Sequence, residues 1–401
     1  MNSRHASRRG HRVDKDKCGQ PAYPTDVWLS LTCFRDPLVA AALTLSLLGI
    51  FLTASAVVSG GDVVSTGQPP GPITRQAVSI AVGLLLGIAV LRLPLSRLRA
   101  AGLPLLLVAY GLCSAVLIPG IGKMVNGAQR WLDFGGFQLD VTLLMSIFLA
   151  AFLARNPGHP RIWSKEYVLV LSAVGLTVLL LLLEPHSPAT LLAIMLVMLY
   201  LVGMQPWQLA LTTALMGVFW LAVLSVLPWG RFGVWSVIGC FSLWDDLYNF
   251  GFSLTNCHLV LPVVWDQWIG AGFGAGGWVA LLTEWARTDF MFSLLAHDLG
   301  LLGVCSGMIL YGILLWRAFD IARRALHHDY LFAALLGRAF GVWIAFQAVF
   351  HIAANFGFGQ SHWILPLVGY GGSSMVVTWV FIALLLRTEL EMRLLSITRV
   401  G

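Results

Sequence analysis

Long apolar runs broken by short polar turns set the rhythm of this chain. Runs such as Pro37 to Val58, Tyr167 to Leu183 and Met375 to Leu386 approach or exceed the roughly 20 apolar residues that carry a helix across a bilayer, and the alternating period of a membrane barrel never holds. Apolar segments centre near residues 48, 84, 110, 147, 175, 196, 217, 303, 345 and 380, which predicts ten spans. The expected fold class is all-α: a polytopic membrane protein of about ten transmembrane helices. The least regular span lies between Glu184-Pro185-His186-Ser187-Pro188 and Met204-Gln205-Pro206, where proline interrupts helix continuity.

Composition agrees. Of 401 residues 58% are apolar and only 11% charged, with a mean hydropathy of +0.81, well beyond the balance of a soluble domain. Ten spans put both termini on one side, and charge says which. Arg92, Arg97, Arg99, Arg155, Arg161, Lys165, Arg317, Arg323, Arg324, Arg387, Arg393 and Arg399 fall on the side of the termini, against only Arg75, Lys123, Arg130, Arg231 and Arg287 opposite. The positive-inside rule therefore places both termini in the cytoplasm. The net charge of +6 sits in short loops flanking helices, where orientation and anionic headgroups explain it, so no nucleic-acid role is assigned.

Residues 1–36 carry Arg4, Arg8, Arg9, Arg12, Lys15, Lys17 and Arg35 and have no apolar core followed by a cleavage site; they read as a disordered cytoplasmic tail, not a signal peptide. Residues 37–387 form the membrane domain and 388–401 a cytoplasmic C-terminal tail. Between spans seven and eight, about 228–288, runs a long outer loop with Trp229, Trp235, Trp244, Trp265, Trp268, Trp278 and Trp285, residues suited to the headgroup level. So long a loop is more often functional than idle. Among six cysteines with no metal-ligand spacing, only Cys240 and Cys257 share this loop, which leaves a disulfide between them open.

One place stands out for chemistry. Asp289 lies at the mouth of span eight, behind the glycine-rich stretch Gly270-Ala271-Gly272-Phe273-Gly274. A carboxylate there is costly unless it has a task. Its plain structural reading is an N-cap, with Thr288-Asp289 opening the helix. His297 and Asp298 follow about two and a half turns into the span, where ionisable groups mark a site or an internal pair. The glycines permit close backbone approach or simply loop flexibility.

Five blocks carry a family resemblance. Asn126-Gly127-Ala128-Gln129-Arg130-Trp131-Leu132 resembles N-G-A-x-R-W-I, and Trp244-Asp245-Asp246 with Gly251-Phe252 and Leu254-Thr255-Asn256 resembles W-E-D-P…G-Y-Q-L-T-Q. Gly270 to Gly274 resembles G-x-G-x-G; Thr288-Asp289-Phe290-Met291-Phe292 with Asp298-Leu299-Gly300-Leu301-Leu302-Gly303 resembles T-D-F-I-F…E-L-G-L-I-G. Gln347, then Leu365-Pro366-Leu367-Val368-Gly369-Tyr370-Gly371-Gly372-Ser373-Ser374, resembles Q…L-P-x-I-S-Y-G-G-S-S. Together, in order, they resemble the SEDS (shape, elongation, division, sporulation) proteins, the FtsW, RodA and SpoVE family, over most of residues 37–387.

The resemblance implies ten helices in the bacterial inner membrane and polymerisation of lipid II into peptidoglycan glycan strands. It also implies a class B penicillin-binding protein as partner, beside other division or elongation machinery. The family's essential outer-face aspartate maps onto Asp289. Glycosyl transfer from a lipid diphosphate needs the acceptor hydroxyl deprotonated and the departing diphosphate stabilised. Asp289 is then the candidate base, or a ligand to a divalent cation such as Mg at the diphosphate. Arg130, Lys123, Arg231 and Arg287 are the available cations, Arg130 first because it sits inside a block; headgroup snorkelling is the alternative. Asn126, Trp131, Thr288, Gly270, Gly272, Gly274, Asp298, Gln347, Ser373 and Ser374 complete the substrate-binding candidates, although close helix packing equally suits the Ser373-Ser374 start of the last span. The basic tail leans toward the division branch.

Departures from the pattern mark a divergent member. Asp140-Val141-Thr142-Leu143 and Ser146 replace Q-P-S-E and a following Lys; Pro185-His186-Ser187-Pro188 replaces P-D-x-G-T; Val279, His351 and Gly369 stand for Lys, Asn and Ser. Two rival classes stay open: a lipid II flippase, with Arg338, Asp298, His297 and Glu184 lining its path, and a noncatalytic scaffold for the penicillin-binding protein.

Overall fold

The computed structural model describes residues 36–59, 71–118, 120–125, 128–133, 138–155, 267–275, 285–356 and 364–398, with scattered single positions between 172 and 218. Its helices are α1 (Pro37–Ser59), α2 (Gly71–Leu91), α3 (Leu95–Val116), α4 (Val141–Arg155), the single turn α5 (Trp285–Thr288), α6 (Met291–His327), α7 (Leu331–Asn355) and α8 (Gly372–Thr398). Among the described residues six helices are long and apolar enough to cross a membrane, so the chain is a polytopic helical membrane protein. The apolar segments expected near 48, 84, 110, 147, 303, 345 and 380 all fall in helices. Those near 175, 196 and 217 lie almost wholly outside the described residues, as do residues 1–35, most of the 228–288 loop, Cys240 and Cys257.

α8 is the axis of the bundle. Its span is 94% buried, against 22% for α2 on the periphery, and it packs on α2, α4, α6 and α7. A helix apolar on all sides belongs inside other helices. Phe381 of α8 meets Phe340 and Trp343 of α7, with ring centroids 3.8 and 4.8 Å away. α8 also runs without a break through Thr398, burying Thr388, Glu389, Glu391 and Met392. The tail expected from 388 is thus the last turns of the central helix.

What allows these acids inside is pairing. At the end of the bundle where α1 begins, Asp36 accepts the Leu38 amide at 2.9 Å, with Pro37 in the first helical position, an ordinary helix start. Arg317 of α6 forks onto the same carboxylate at 3.0 and 2.6 Å and reaches Glu389 at 2.7 Å. Arg324 and Arg393 add to Glu389. Nearby, Arg387 bonds Glu391 and the Leu91 carbonyl, while Glu391 accepts the Leu95 amide, which fastens the α2–α3 turn to α8.

The segment before α8 is not helical yet is buried. Leu365, Leu367 and Val368 are each 1% exposed. Non-helical backbone inside a membrane protein must find partners within the protein. Here Tyr311 donates to the Pro366 carbonyl, and Gln76 of α2 donates to the Val368 carbonyl at 3.2 Å while bonding Thr53 of α1.

One element was not anticipated: a three-stranded antiparallel sheet between α3 and α4, of β1 (Gly122–Val125), β2 (Ala128–Asp133) and β3 (Gln138–Asp140). Val125 pairs with Ala128, leaving Asn126-Gly127 between the strands. Asn-Gly is the strongest short-range hairpin signal, so the clue was present.

Candidate functional site

Three short stretches meet where α6 begins. α5 ends at Thr288, Asp289 and Phe290 turn, and α6 starts at Met291. Ala286, Phe290 and Met291 are buried and anchor the turn, whereas Asp289 keeps partial exposure. The backbone is held on both sides of the carboxylate. Tyr370, just ahead of α8, donates its amide to the Arg287 carbonyl at 2.9 Å. Asn355, the last residue of α7, donates Nδ2 to the Asp289 carbonyl at 2.9 Å and to the His351 carbonyl at 2.8 Å. Its Oδ1 accepts the Ser293 amide at 3.1 Å and the Ser293 hydroxyl at 2.7 Å. Thr288 Oγ1 lies 3.4 Å from Asp289 Oδ2.

Asp289 is not the cap of α6. Phe290 holds that position and makes no side-chain cap bond. By contrast Asp140 does cap its helix, accepting the Thr142 amide at 2.9 Å and its hydroxyl at 2.6 Å. The acid that stands near a lost family glutamate is therefore engaged at the start of α4.

The glycine-rich stretch sits deeper, against a break in α6. Gly300 has φ 65° and ψ −159°, a conformation open essentially to glycine alone. The break frees the His297 and Asp298 carbonyls, which accept the Ala271 and Gly272 amides at 2.8 and 3.1 Å. Leu301 and Leu302 amides return to the Gln267 and Trp268 carbonyls, both at 3.2 Å. A Cβ on Gly270 would strike the backbone of His297 and Asp298. The far side of the loop docks on α1 through Gly274 N to Ser55 Oγ at 3.0 Å and Phe273 against Phe51.

Asp298 is the internal pair. His297 Nδ1 is 3.0 Å from its Oδ1, the carboxylate is buried, and Oδ2 has no hydrogen-bond partner among the described residues. From Met291, where α6 begins just past Asp289, it lies seven residues along the helix, about 10 Å on the axis. The candidates thus divide: Arg287, Thr288 and Asp289 at the mouth; Gly270, Gly272, Gly274 and Asp298 at the break.

Gln347 and Ser374 are buried, with Gln347 Oε1 and Ser374 Oγ lacking partners among the described residues; Ser373, next to Ser374, is buried too. In the sheet, Lys123 Nζ bonds Asp133 at 2.9 Å, half exposed. The register jumps between Lys123–Trp131 and Met124–Gln129, which makes Arg130 the extra residue of a β-bulge. Bulges recur next to active sites. The Arg130 side chain and Asn126 lie outside the described residues. β3 packs against α8, β2 against α3 and α4.

Residues 36–394 match the cell cycle protein family of FtsW, RodA and SpoVE. The chain belongs to that family. A relative named probable peptidoglycan glycosyltransferase FtsW, from Thioalkalivibrio sulfidiphilus, is 35% identical over 361 residues, 88% of this chain and 89% of that one. Among solved structures, a chain of a peptidoglycan synthase complex that coordinates polymerization and crosslinking superposes with a TM-score of 0.66 at 26% identity, covering 92% of this chain and 99% of that one. The rod shape determining protein RodA of Thermus thermophilus gives 0.61 at 26% identity, covering 88% and 96%. The peptidoglycan glycosyltransferase identity anticipated from the motif blocks is the one these FtsW relatives bear.

Asn355 and Ser293 were missed by the sequence reading. An Asn at the end of an apolar helix reads as a C-terminal signal, and nothing local ties it to a serine 62 positions away.

Proposed function

We propose that this chain polymerises lipid II into peptidoglycan glycan strands at the outer face of the bacterial inner membrane, through ten spans with both termini in the cytoplasm. The observation that carries the reading is Asp289: a partly exposed carboxylate on a turn whose flanking carbonyls are pinned by α7 and by the start of α8. Fixed geometry of this kind is what general-base work requires. The FtsW names of the relatives and the matched blocks support the same reaction.

In that reaction Asp289 takes the proton of the acceptor sugar 4-hydroxyl as its oxygen bonds to the anomeric carbon. The bond from that carbon to the lipid diphosphate breaks, and the diphosphate departs with the electron pair. Arg130 and Arg287 are the cations assigned to the diphosphate. Magnesium is commonly held by one or two carboxylates together with substrate phosphates and waters; Asp289 is the residue that would hold such an ion beside the diphosphate, where it would offset the departing charge. The arginine-rich end of the bundle, opposite Asp289, supports the cytoplasmic orientation. A class B penicillin-binding protein is the partner proposed to crosslink the product.

Asp289→Ala in protein purified with that partner, supplied with labelled lipid II, tests the reading. Glycan chains from wild type and none from the variant uphold it. No chains from either, with the complex intact, indicates the scaffold; vesicle translocation of lipid II insensitive to Asp289 indicates the flippase.

A further inference from the structure

We propose that Asn355 is a positioning residue for Asp289, acting as a helix cap supplied from across the bundle. This rests on the reading that Asp289 performs the chemistry. A helix start needs acceptors for its first amides, usually the side chain at the cap position. α1 and α4 meet the need locally, each with an aspartate accepting the amide two residues on. In α6 the aspartate lies one residue ahead of the cap position. Its cap position is Phe290, and the Ser293 amide is taken by Asn355 Oδ1.

The consequence is a division of labour. Asn355, fully buried, accepts the Ser293 amide and hydroxyl, so the first turn of α6 is capped from α7. The same side chain, through Nδ2, grips the Asp289 carbonyl and so sets where the acid stands. One buried amide thereby joins α7, the first turn of α6 and the backbone of Asp289.

The test measures polymerisation of labelled lipid II by the full chain co-purified with its penicillin-binding protein. The variants are Asn355→Ala, Ser293→Ala, Asp289→Glu and the double Asn355→Ala/Asp289→Glu. Misplacing a catalytic group by an ångström costs up to about a hundredfold. Asn355→Ala is accordingly expected to lower kcat about tenfold or more while KM stays within about twofold, and Ser293→Ala to lower kcat about threefold. Because Asp289→Glu also displaces the carboxylate, its loss and that of Asn355→Ala do not multiply in the double variant. Wild-type kcat in Asn355→Ala, a loss confined to KM, or fully multiplicative losses overturn the proposal. If Asn355→Ala fails to assemble with the partner, Ser293→Ala decides: reduced kcat at unchanged KM upholds it and wild-type turnover overturns it. Asp289→Ala in parallel separates the two readings. If that variant polymerises normally the base assignment fails, whereas an inactive Asp289→Ala beside a fully active Asn355→Ala removes only the role of Asn355.

Discussion

Replacing Gly300 with alanine tests the break in α6 directly. The residue occupies φ 65°, ψ −159°, and holding a non-glycine residue in that region costs about 1–3 kcal/mol. Space adds to the conformational term. A Cβ there would stand 2.6 Å from Gly270 N, 2.8 Å from Ile269 C and 2.9 Å from Gln267 O, all backbone atoms that cannot rotate away. The loop must therefore retreat, and its four backbone bonds to α6 are at risk: those of Ala271, Gly272, Leu301 and Leu302. At about 0.5–1.5 kcal/mol each, their loss contributes roughly another 2–6 kcal/mol. The summed effect is large for a single methyl group. Thermal unfolding of the detergent-purified protein is the assay, with limited proteolysis of residues 267–275 as a local probe. Gly300→Ala should lower the apparent midpoint by about 5 °C or more and open the loop to cleavage. Gly312→Ala in the same helix is the control, since none of the described residues lies within 4 Å of its Cβ; it should leave both readouts unchanged or slightly raise the midpoint. Equal behaviour of the two variants would refute the claim that the loop is built into the helix break.

Two further predictions concern the arginine-rich end. Burial pushes the Asp36 carboxyl up, but the Arg317 hydrogen bond, the Leu38 amide and the Arg317 charge outweigh it and leave its pKa below the ordinary value of 3.8. A depressed folded value means stability is fully present above the unfolded pKa and lost as pH falls through the folded one. The thermal midpoint should accordingly drop below about pH 4 in wild type, and less steeply in Asp36→Asn; parallel curves would contradict the linkage. Arg317→Ala strands the buried carboxylate of Asp36, while Glu389 keeps Arg324 and Arg393, and should cost about 3–5 kcal/mol. Adding Asp36→Asn should recover much of that loss in the same unfolding measurement, and no recovery would argue against stranded charge as the cause.

The fold was legible to the extent that its rules are local. A run of about 20 apolar residues needs no tertiary information to become a membrane helix, because lipid leaves the backbone no partner but itself. Asp36-Pro37 announces the start of α1 in the same local grammar, and the Asn126-Gly127 pair does so for the turn between β1 and β2. The matched blocks marked Asp289, Arg130 and the glycine loop in advance. Periodicity could not show that α6 breaks at Gly300, because residues on both sides remain apolar and the bonds that tolerate the break come from 267–272. Nor could it show that His297 and Asp298 lend their carbonyls to that loop.

The amino-acid sequence by itself settled the membrane class, the helices where apolar runs are long, the family and the acid at the mouth of α6. Only the tertiary structure decided that Asn355 of α7 caps the first turn of α6 and holds the Asp289 carbonyl, and that the glycine loop completes a broken helix. The reason is where hydrogen-bond partners come from: within a helix they lie four residues away and can be read from the chain, while at helix ends and breaks they arrive from segments that only folding brings near.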